Sequence, residues 1–371
     1  MKRCIYHYMA PLQEKAGVGS GVRPFQMMNA FRELGYEVEV VAGYSKQRKA
    51  KIKEIKKNLK NGVKYDFFYA ESSNDPVMFS DKDHLPRHPF MDRSFFRACR
   101  KQKIPVGLFY RDIHWRFPQF KDSTSFLQRL ILVWAYGFEE KRLRNCLDLL
   151  YLPTLRMQNY VLQGLPASAL PPGGVVHPQV FAKKSQREAV KNGVLKVFYV
   201  GGLSQALYNN LALFQAVQQT PNVELTVCTR KGEWEQLKDQ YEPYLCDRIQ
   251  VVHESGEQLI ARYQEADIMA CCMKKCDYLD FAMPIKVFES FSYATPILVA
   301  DHHCVAQLVE GEGLGWNTGN DWESIAQTLS FLRDHPEEVL EKTQNVIQAV
   351  PNHTWLARAK QVAEELTALK K

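Results

Sequence analysis

The alternation of strand-like and helix-like segments constrains this chain of 371 residues more than any other feature. Short runs rich in β-branched and aromatic residues fall at Arg3–Tyr8, Glu37–Ala42, Asp66–Tyr69, Val106–Tyr110 and Leu147–Leu152, and helical patterns fit between them. The clearest helix is Val22–Leu34, where Phe25, Met28, Phe31 and Leu34 recur at helical spacing and Gly35 is placed to cap the end. After a polar, turn-rich stretch, Lys183–Gly193, the series restarts. Lys196–Val200 runs into Gly201-Gly202, a helix follows near Asn209–Gln219, and strands are expected at Val223–Cys228, Ile249–His253, Asp267–Cys272 and Pro296–Ala300. This order builds parallel sheets covered by helices. Two such arrays joined near residue 185 predict an α/β protein with two Rossmann-like domains facing a cleft, residues 1–185 and 186–350, and a final helix at about Thr354–Leu369 within 351–371. Ligands of such sheets bind outside the carboxyl ends of the strands, which makes the cleft the expected site.

Composition narrows the function classes. With 46% hydrophobic and 24% charged residues the chain is an ordinary globular one. Its longest apolar run, Leu130–Tyr136, is far short of the roughly 18 to 20 residues that span a bilayer. The apolar stretch of Met1–Ala10 is too short and too broken for a signal-peptide core, so the cytoplasm is the expected location. Nine cysteines without framework spacing are expected as thiols. The formal net charge of +7 is concentrated in one strip, Lys46–Lys60, where seven Lys and one Arg face the single acid Glu54. Ile52, Ile55 and Leu59 share one helical face of that strip. The pattern suits a helix lying on an anionic membrane surface, at its inner face, or a surface helix docking those three residues on its own domain. Nucleic acid is not the expected partner, because no aromatic residue interleaves the basic run.

Pro11–Gly21 carries Gly17, Gly19 and Gly21 directly before a helix, where glycine lets backbone approach a phosphate and the helix start supplies free N–H groups. The richest stretch is Met283–Ala300, in which Lys286 and Glu289 stand three apart at the start of a helix that runs into a Pro-initiated strand. This block resembles the "P-x-K-x-x-E, small residues, P-hydrophobic strand" segment of retaining, nucleotide-sugar-dependent GT-B glycosyltransferases, the large family 4-like class that includes sucrose synthase and bacterial mannosyltransferases. Leu34–Val41 resembles that class's "L-x-x-x-G-H-E-V-x-V" opening, Val200-Gly201-Gly202 its "V-G-x" loop, and Tyr263–Ile268 its "Y-x-x-A-D-I" block.

The resemblance implies transfer of a sugar from a nucleoside-diphosphate donor to a glycan or lipid-linked acceptor in surface polysaccharide or glycolipid assembly, with retention and without a metal or cofactor. The donor would sit on the second domain and the acceptor on the first, with the C-terminal helix bracing the first domain. It implies that Glu289 holds the ribose hydroxyls and that Lys286, Gly19 and Gly202 serve the donor. Two positions depart from the class. Phe281 stands eight residues before Glu289 where many members carry a second Glu, and Ser204, Gln205 and Asn209 replace the Arg and Lys usual after the glycine loop. Arg230 and Lys231, just past the next strand, could supply that positive charge. His114, after the Pro105–Tyr110 strand, is the best match to a His near the reacting carbon. A neutral His there can position the acceptor hydroxyl while Lys286 and Arg230 neutralise the leaving diphosphate. A structural His beside aromatic rings is the plainer reading. A sugar-nucleotide epimerase and a non-catalytic partner-binding subunit are the two rival functions. Asp301–Cys304 spells the palmitoyltransferase signature without the membrane spans that class needs, and Cys271, Cys272 and Cys276 lack the paired spacing of a zinc site.

Overall fold

The computed structural model describes residues 2–14, 19–118, 120, 125–161, 164–205, 207–300 and 303–370. The chain forms two compact units, Met1–Gly173 together with Trp355–Lys371, and Gly174–Thr354.

The first unit runs β1 (Arg3–Tyr8), α1 (Gly19–Glu33), β2 (Glu37–Val41), α2 (Ser45–Lys60), β3 (Phe67–Glu71), α3 (Met91–Lys101), β4 (Val106–Phe109), α4 (Phe126–Leu143), β5 (Leu149–Leu152) and β6 (Ala167–Ala169). Its strands pair in parallel in the order β2-β1-β3-β4-β5-β6. Helices cover both faces, so the central strands are apolar in nearly every position rather than alternating. On one face Tyr6, Phe31, Phe67 and Tyr69 cluster, with Phe31 and Phe67 ring centres 5.4 Å apart. On the other, Phe68 meets Phe95 and Phe96 at 5.3 and 4.8 Å.

The basic strip folds as α2, and Ile52 and Ile55 are buried in the first unit. The apolar face is therefore spent on the helix's own domain, at roughly 1.5–3 kcal/mol per fully buried side chain. Of the two expected readings, the burial of Ile52 and Ile55 favours docking on the helix's own domain over lying on a membrane surface. Arg48, one of the eight cations of the strip, is buried as well. It donates to the carbonyls of Met9 (2.8 Å) and Gly43 (2.6 Å) and to both oxygens of Asp92 (3.0 and 3.1 Å). Burial opposes the Asp92 carboxylate, but His7 and Arg48 outweigh it and hold Asp92 at about 2.

The second unit runs α5 (Pro178–Gln186), β7 (Leu195–Val200), α6 (Asn210–Gln219), β8 (Val223–Cys228), α7 (Lys231–Tyr241), β9 (Ile249–Val252), α8 (Glu257–Glu265), β10 (Ile268–Cys272), α9 (Ile285–Ser292), β11 (Ile297–Ala300), α10 (His303–Gly311), β12 (Gly315–Thr318), α11 (Trp322–Asp334) and α12 (Pro336–Ala349). Its sheet, again parallel, has the order β12-β11-β10-β7-β8-β9, with one hydrophobic cluster on each face. The unit begins at Gly174, earlier than the turn-rich stretch around residue 185, because α5 packs Phe181 and the buried Lys184 into it.

The last helix, α13 (Trp355–Ala368), belongs to the first unit. Gln361 donates to the Ala169 carbonyl at 3.0 Å, and Leu366 lies so close to Gly107 that a Cβ there would sit 3.0 Å from both of its methyls. Only glycine on β4 allows the helix that approach. The edge strands β6 and β12 were not expected: Ala-Ser-Ala and Gly-Trp-Asn-Thr carry little strand signal, and pairing with β5 and β11 recruits them. Among the described residues no helix is long and apolar enough to cross a membrane.

Candidate functional site

In a parallel sheet a binding crevice opens where successive connections leave in opposite directions. In the second unit that point lies between β7 and β10, which pair with each other while the chain extends to β8 on one side and β11 on the other. The sequence places Gly201-Gly202 at the end of β7. Gly201 has φ +146°. The Gly202 carbonyl accepts from the Tyr199 hydroxyl and from Asn210 Nδ2 (3.2 Å), and the next N–H, of Leu203, donates to Glu233 at 2.7 Å. A Cβ on Gly202 would stand 2.9 Å from the Tyr208 ring and 3.0 Å from Glu233, so a side chain there would have to displace both.

Lys286 sits in the first turn of α9, whose N-cap is Pro284. Its stem is half-buried, while its Nζ is shielded from solvent and makes no hydrogen bond among the described residues. The ammonium lies over the rings of Tyr199 and Tyr208, 4.6 and 4.9 Å from their centres, and a Cβ on Gly201 would approach it to 3.4 Å. Burial pushes its pKa below the usual lysine range. Two ring faces stabilise a cation only partly, by about 0.5–2 kcal/mol each. An anion beside Nζ would complete its partners. One turn on, Glu289 accepts a hydrogen bond from Tyr263 (3.4 Å), and burial raises its pKa. Tyr263 stacks on Tyr293 at 5.0 Å, and Tyr293 on His177 at 5.1 Å.

Arg230 and Lys231 open α7 and are exposed, without an ion pair among the described residues. Gly202 and Lys286 thus converge around Tyr199 and Tyr208, and Glu289 follows from the same helix as Lys286. Phe281 is a buried ring set edge-on to Tyr278. Asn209 and Gln205 are bonded to Asn320 and Gln240.

In the first unit the corresponding point lies between β1 and β3, where Tyr8 pairs with Glu71 and Glu71 with Phe109. Gly19 heads α1 here, while residues 15–18, including Gly17, lie outside the described residues. Glu71 is fully buried. It accepts from the Tyr69 hydroxyl at 3.0 Å, with Arg23 Nε at 3.4 Å and Arg111 at 3.7 Å. The Arg23 guanidinium covers the Phe109 ring at 3.5 Å and donates to the Leu170 carbonyl.

His114 follows β4 on a short turn, His114–Arg116. Asp112 accepts from the backbone N–H of Ile113 (2.7 Å) and of His114 (3.0 Å), and its other oxygen lies 3.5 Å from His114 Nδ1. Phe120 and Tyr136 meet the ring edge-on at 5.2 and 6.0 Å. A carboxylate beside Nδ1 favours the tautomer with its proton there and leaves Nε2 as an acceptor.

Sequence reasoning missed Glu71, Arg23, Arg111, Tyr199, Tyr208 and Glu233. One signal was available: an acid closing an otherwise apolar strand, as Glu71 does, must find buried partners. Among the described residues no group of three or more His, Cys, Asp or Glu could hold a metal ion. Cys271 and Cys272 end the buried strand β10, and Asp301 and His302 lie outside the described residues.

Residues 180–352 match the family described as Glycosyl transferases group 1. No curated protein sequence matches the chain. Among solved structures the chain is similar to a sucrose-phosphate synthase from Thermosynechococcus elongatus, at 14% identity and a TM-score of 0.65 over 100% of this chain and 99% of that one. It is also similar to the Anabaena protein HepE, solved with UDP and glucose, at 14% identity and a TM-score of 0.62 over 99% and 100%. A glycosyltransferase from Rickettsia africae gives 10% identity and a TM-score of 0.61 over 100% and 99%. At these identities the likeness establishes the fold, GT-B.

Proposed function

We propose that this chain, a glycosyltransferase by its group 1 domain and its GT-B fold, moves a sugar from a nucleoside-diphosphate donor to a hydroxyl of a glycan or lipid-linked acceptor with retention of configuration. The observation that carries the reading is the buried ammonium of Lys286, held against two tyrosine faces beside Gly201 at the turning point of the second sheet. An ammonium desolvated in this way gains most from an anion delivered to it, and a diphosphate is such an anion. The first turn of α9 adds N–H groups of the same sign, and Arg230 and Lys231 are free to close on the phosphates from the neighbouring strand end. Glu289 would take the ribose hydroxyls. HepE was solved with UDP-glucose, which supports trying uridine nucleotides first.

Bond breaking leaves negative charge on the diphosphate and positive charge on the sugar. Lys286 and Arg230 would stabilise the first, and His114 Nε2, oriented through Asp112, would hold the acceptor hydroxyl. The donor is a substrate, and these roles call for no further cofactor. The test is a thermal-shift panel of uridine, guanosine, adenosine and thymidine diphosphates and their sugars, since a ligand that binds only the native state raises its stability. One base is expected to stabilise wild type and not Glu289→Ala. No shift with any of them would overturn the reading. Epimerised donor released without an acceptor would favour an epimerase instead.

A further inference from the structure

We propose that α4, with a basic groove beside it, docks the protein on an anionic lipid bilayer. Phe126 (67% exposed), Leu127 (68%), Leu130, Ile131, Val133 and Trp134 (59%) all lie in solvent on this helix. At about 100° per residue they fill one continuous arc of about 160°, and no charged residue enters that arc before Lys141. The opposite arc holds the helix to its domain through Ala135, Tyr136 and Leu143. Soluble surfaces rarely leave so many large apolar side chains contiguous without a use for them.

The arc leads directly into charge. Trp134 stacks on Phe138 at 5.3 Å, Phe138 approaches Phe90 at 6.2 Å, and the Arg142 guanidinium covers Phe138 at 3.9 Å. Phe90 and Arg142 are also walls of a groove of about 400 Å³ whose other charged lining residues are Lys56, Arg93, Arg97 and Lys101. Five cations line it and no acid does, and none of the five forms an ion pair among the described residues. An apolar face bordered by cations matches a bilayer whose surface carries phosphate, with acyl chains below and head groups at the rim. A second copy fits poorly, because two-fold pairing would bring the same cations against themselves. The helix α2 contributes Lys56 to the groove, but its own Ile52 and Ile55 are already buried. This inference is independent of the donor reading.

The test is sedimentation of the full chain with vesicles of phosphatidylcholine, alone or with phosphatidylglycerol, at low and high salt. Wild type is expected to bind the anionic vesicles, less so at high salt. Leu130→Ser with Trp134→Ser, and separately Arg93→Glu with Arg97→Glu, should each weaken binding by about tenfold or more. Lys49→Glu with Lys53→Glu on α2 should weaken it less than either. These side chains are exposed or line the groove, and circular dichroism confirms that each variant is folded. Four results would overturn the proposal: no binding to either vesicle, equal binding to both, loss confined to the α2 variant, or a concentration-dependent dimer that Leu130→Ser with Trp134→Ser abolishes.

Discussion

The two sheets turn at matching places and treat buried charge in opposite ways. At the end of β3 the Glu71 carboxylate has Arg23 at 3.4 Å and Arg111 at 3.7 Å and accepts from the Tyr69 hydroxyl, so its charge is paired within the first unit even though Oε2 and Arg23 Nε make no hydrogen bond among the described residues. At the start of α9 the Lys286 ammonium lies against the faces of Tyr199 and Tyr208 and makes no hydrogen bond among the described residues. A compensated cluster shapes a strand end and stabilises the fold. A buried cation without an ion pair costs stability and gains most from an anionic ligand, so the same topology can serve the fold in one unit and the proposed donor site in the other.

The contrast can be broken by mutation. Its largest expected effect is from Glu71→Gln, which leaves buried guanidinium groups without their anion and should cost about 3–5 kcal/mol in a denaturant titration. A loss under about 1 kcal/mol would show the cluster to be slack. Lys286→Met should instead leave stability unchanged or raise it, while weakening nucleotide binding by about 1.5–3 kcal/mol, read by calorimetry. Glu289→Ala should lose a similar amount of donor affinity with its fold intact. Unchanged affinity in that folded variant would remove the main support for the donor site.

His114→Ala sharpens the comparison on the side of the first unit. A group near the reacting carbon acts mostly in the transition state, so turnover should fall about tenfold, worth about 1.4 kcal/mol, with little change in donor affinity. Turnover within about twofold of wild type would return His114 to its aromatic setting as a structural residue. The smallest effect is on pH. Between the lowered pKa of Lys286 and the ordinary lysine value of about 10.4, the unfolded chain holds a proton that the free folded protein lacks. Stability of the free protein should therefore rise with pH across that window while donor affinity falls, and Lys286→Met should remove both trends.

The two helices α2 and α4 show how far the reading of residues alone could go. In α2 the 3,4-spacing of Ile52, Ile55 and Leu59 announced an amphipathic helix, but spacing does not say whether the apolar face meets a membrane or the helix's own sheet. In α4 the run Leu130–Tyr136 registered only as too short to cross a bilayer. Its outward face became visible once Ala135 and Tyr136 were placed against the domain.

By itself the sequence determined the alternation of strands and helices, hence two parallel α/β sheets, because strand and helix periodicities are local properties of neighbouring residues. It also determined the glycine pair after β7 and the Lys286–Glu289 turn, since both depend on residues a few positions apart. What only the tertiary structure decided was which side chains from distant segments share a buried space. Glu71 between Arg23 and Arg111, Lys286 between Tyr199 and Tyr208, and α13 against Gly107 all depend on contacts across the chain. Whether a buried charge is compensated is a property of such contacts, and local pattern carries no record of them.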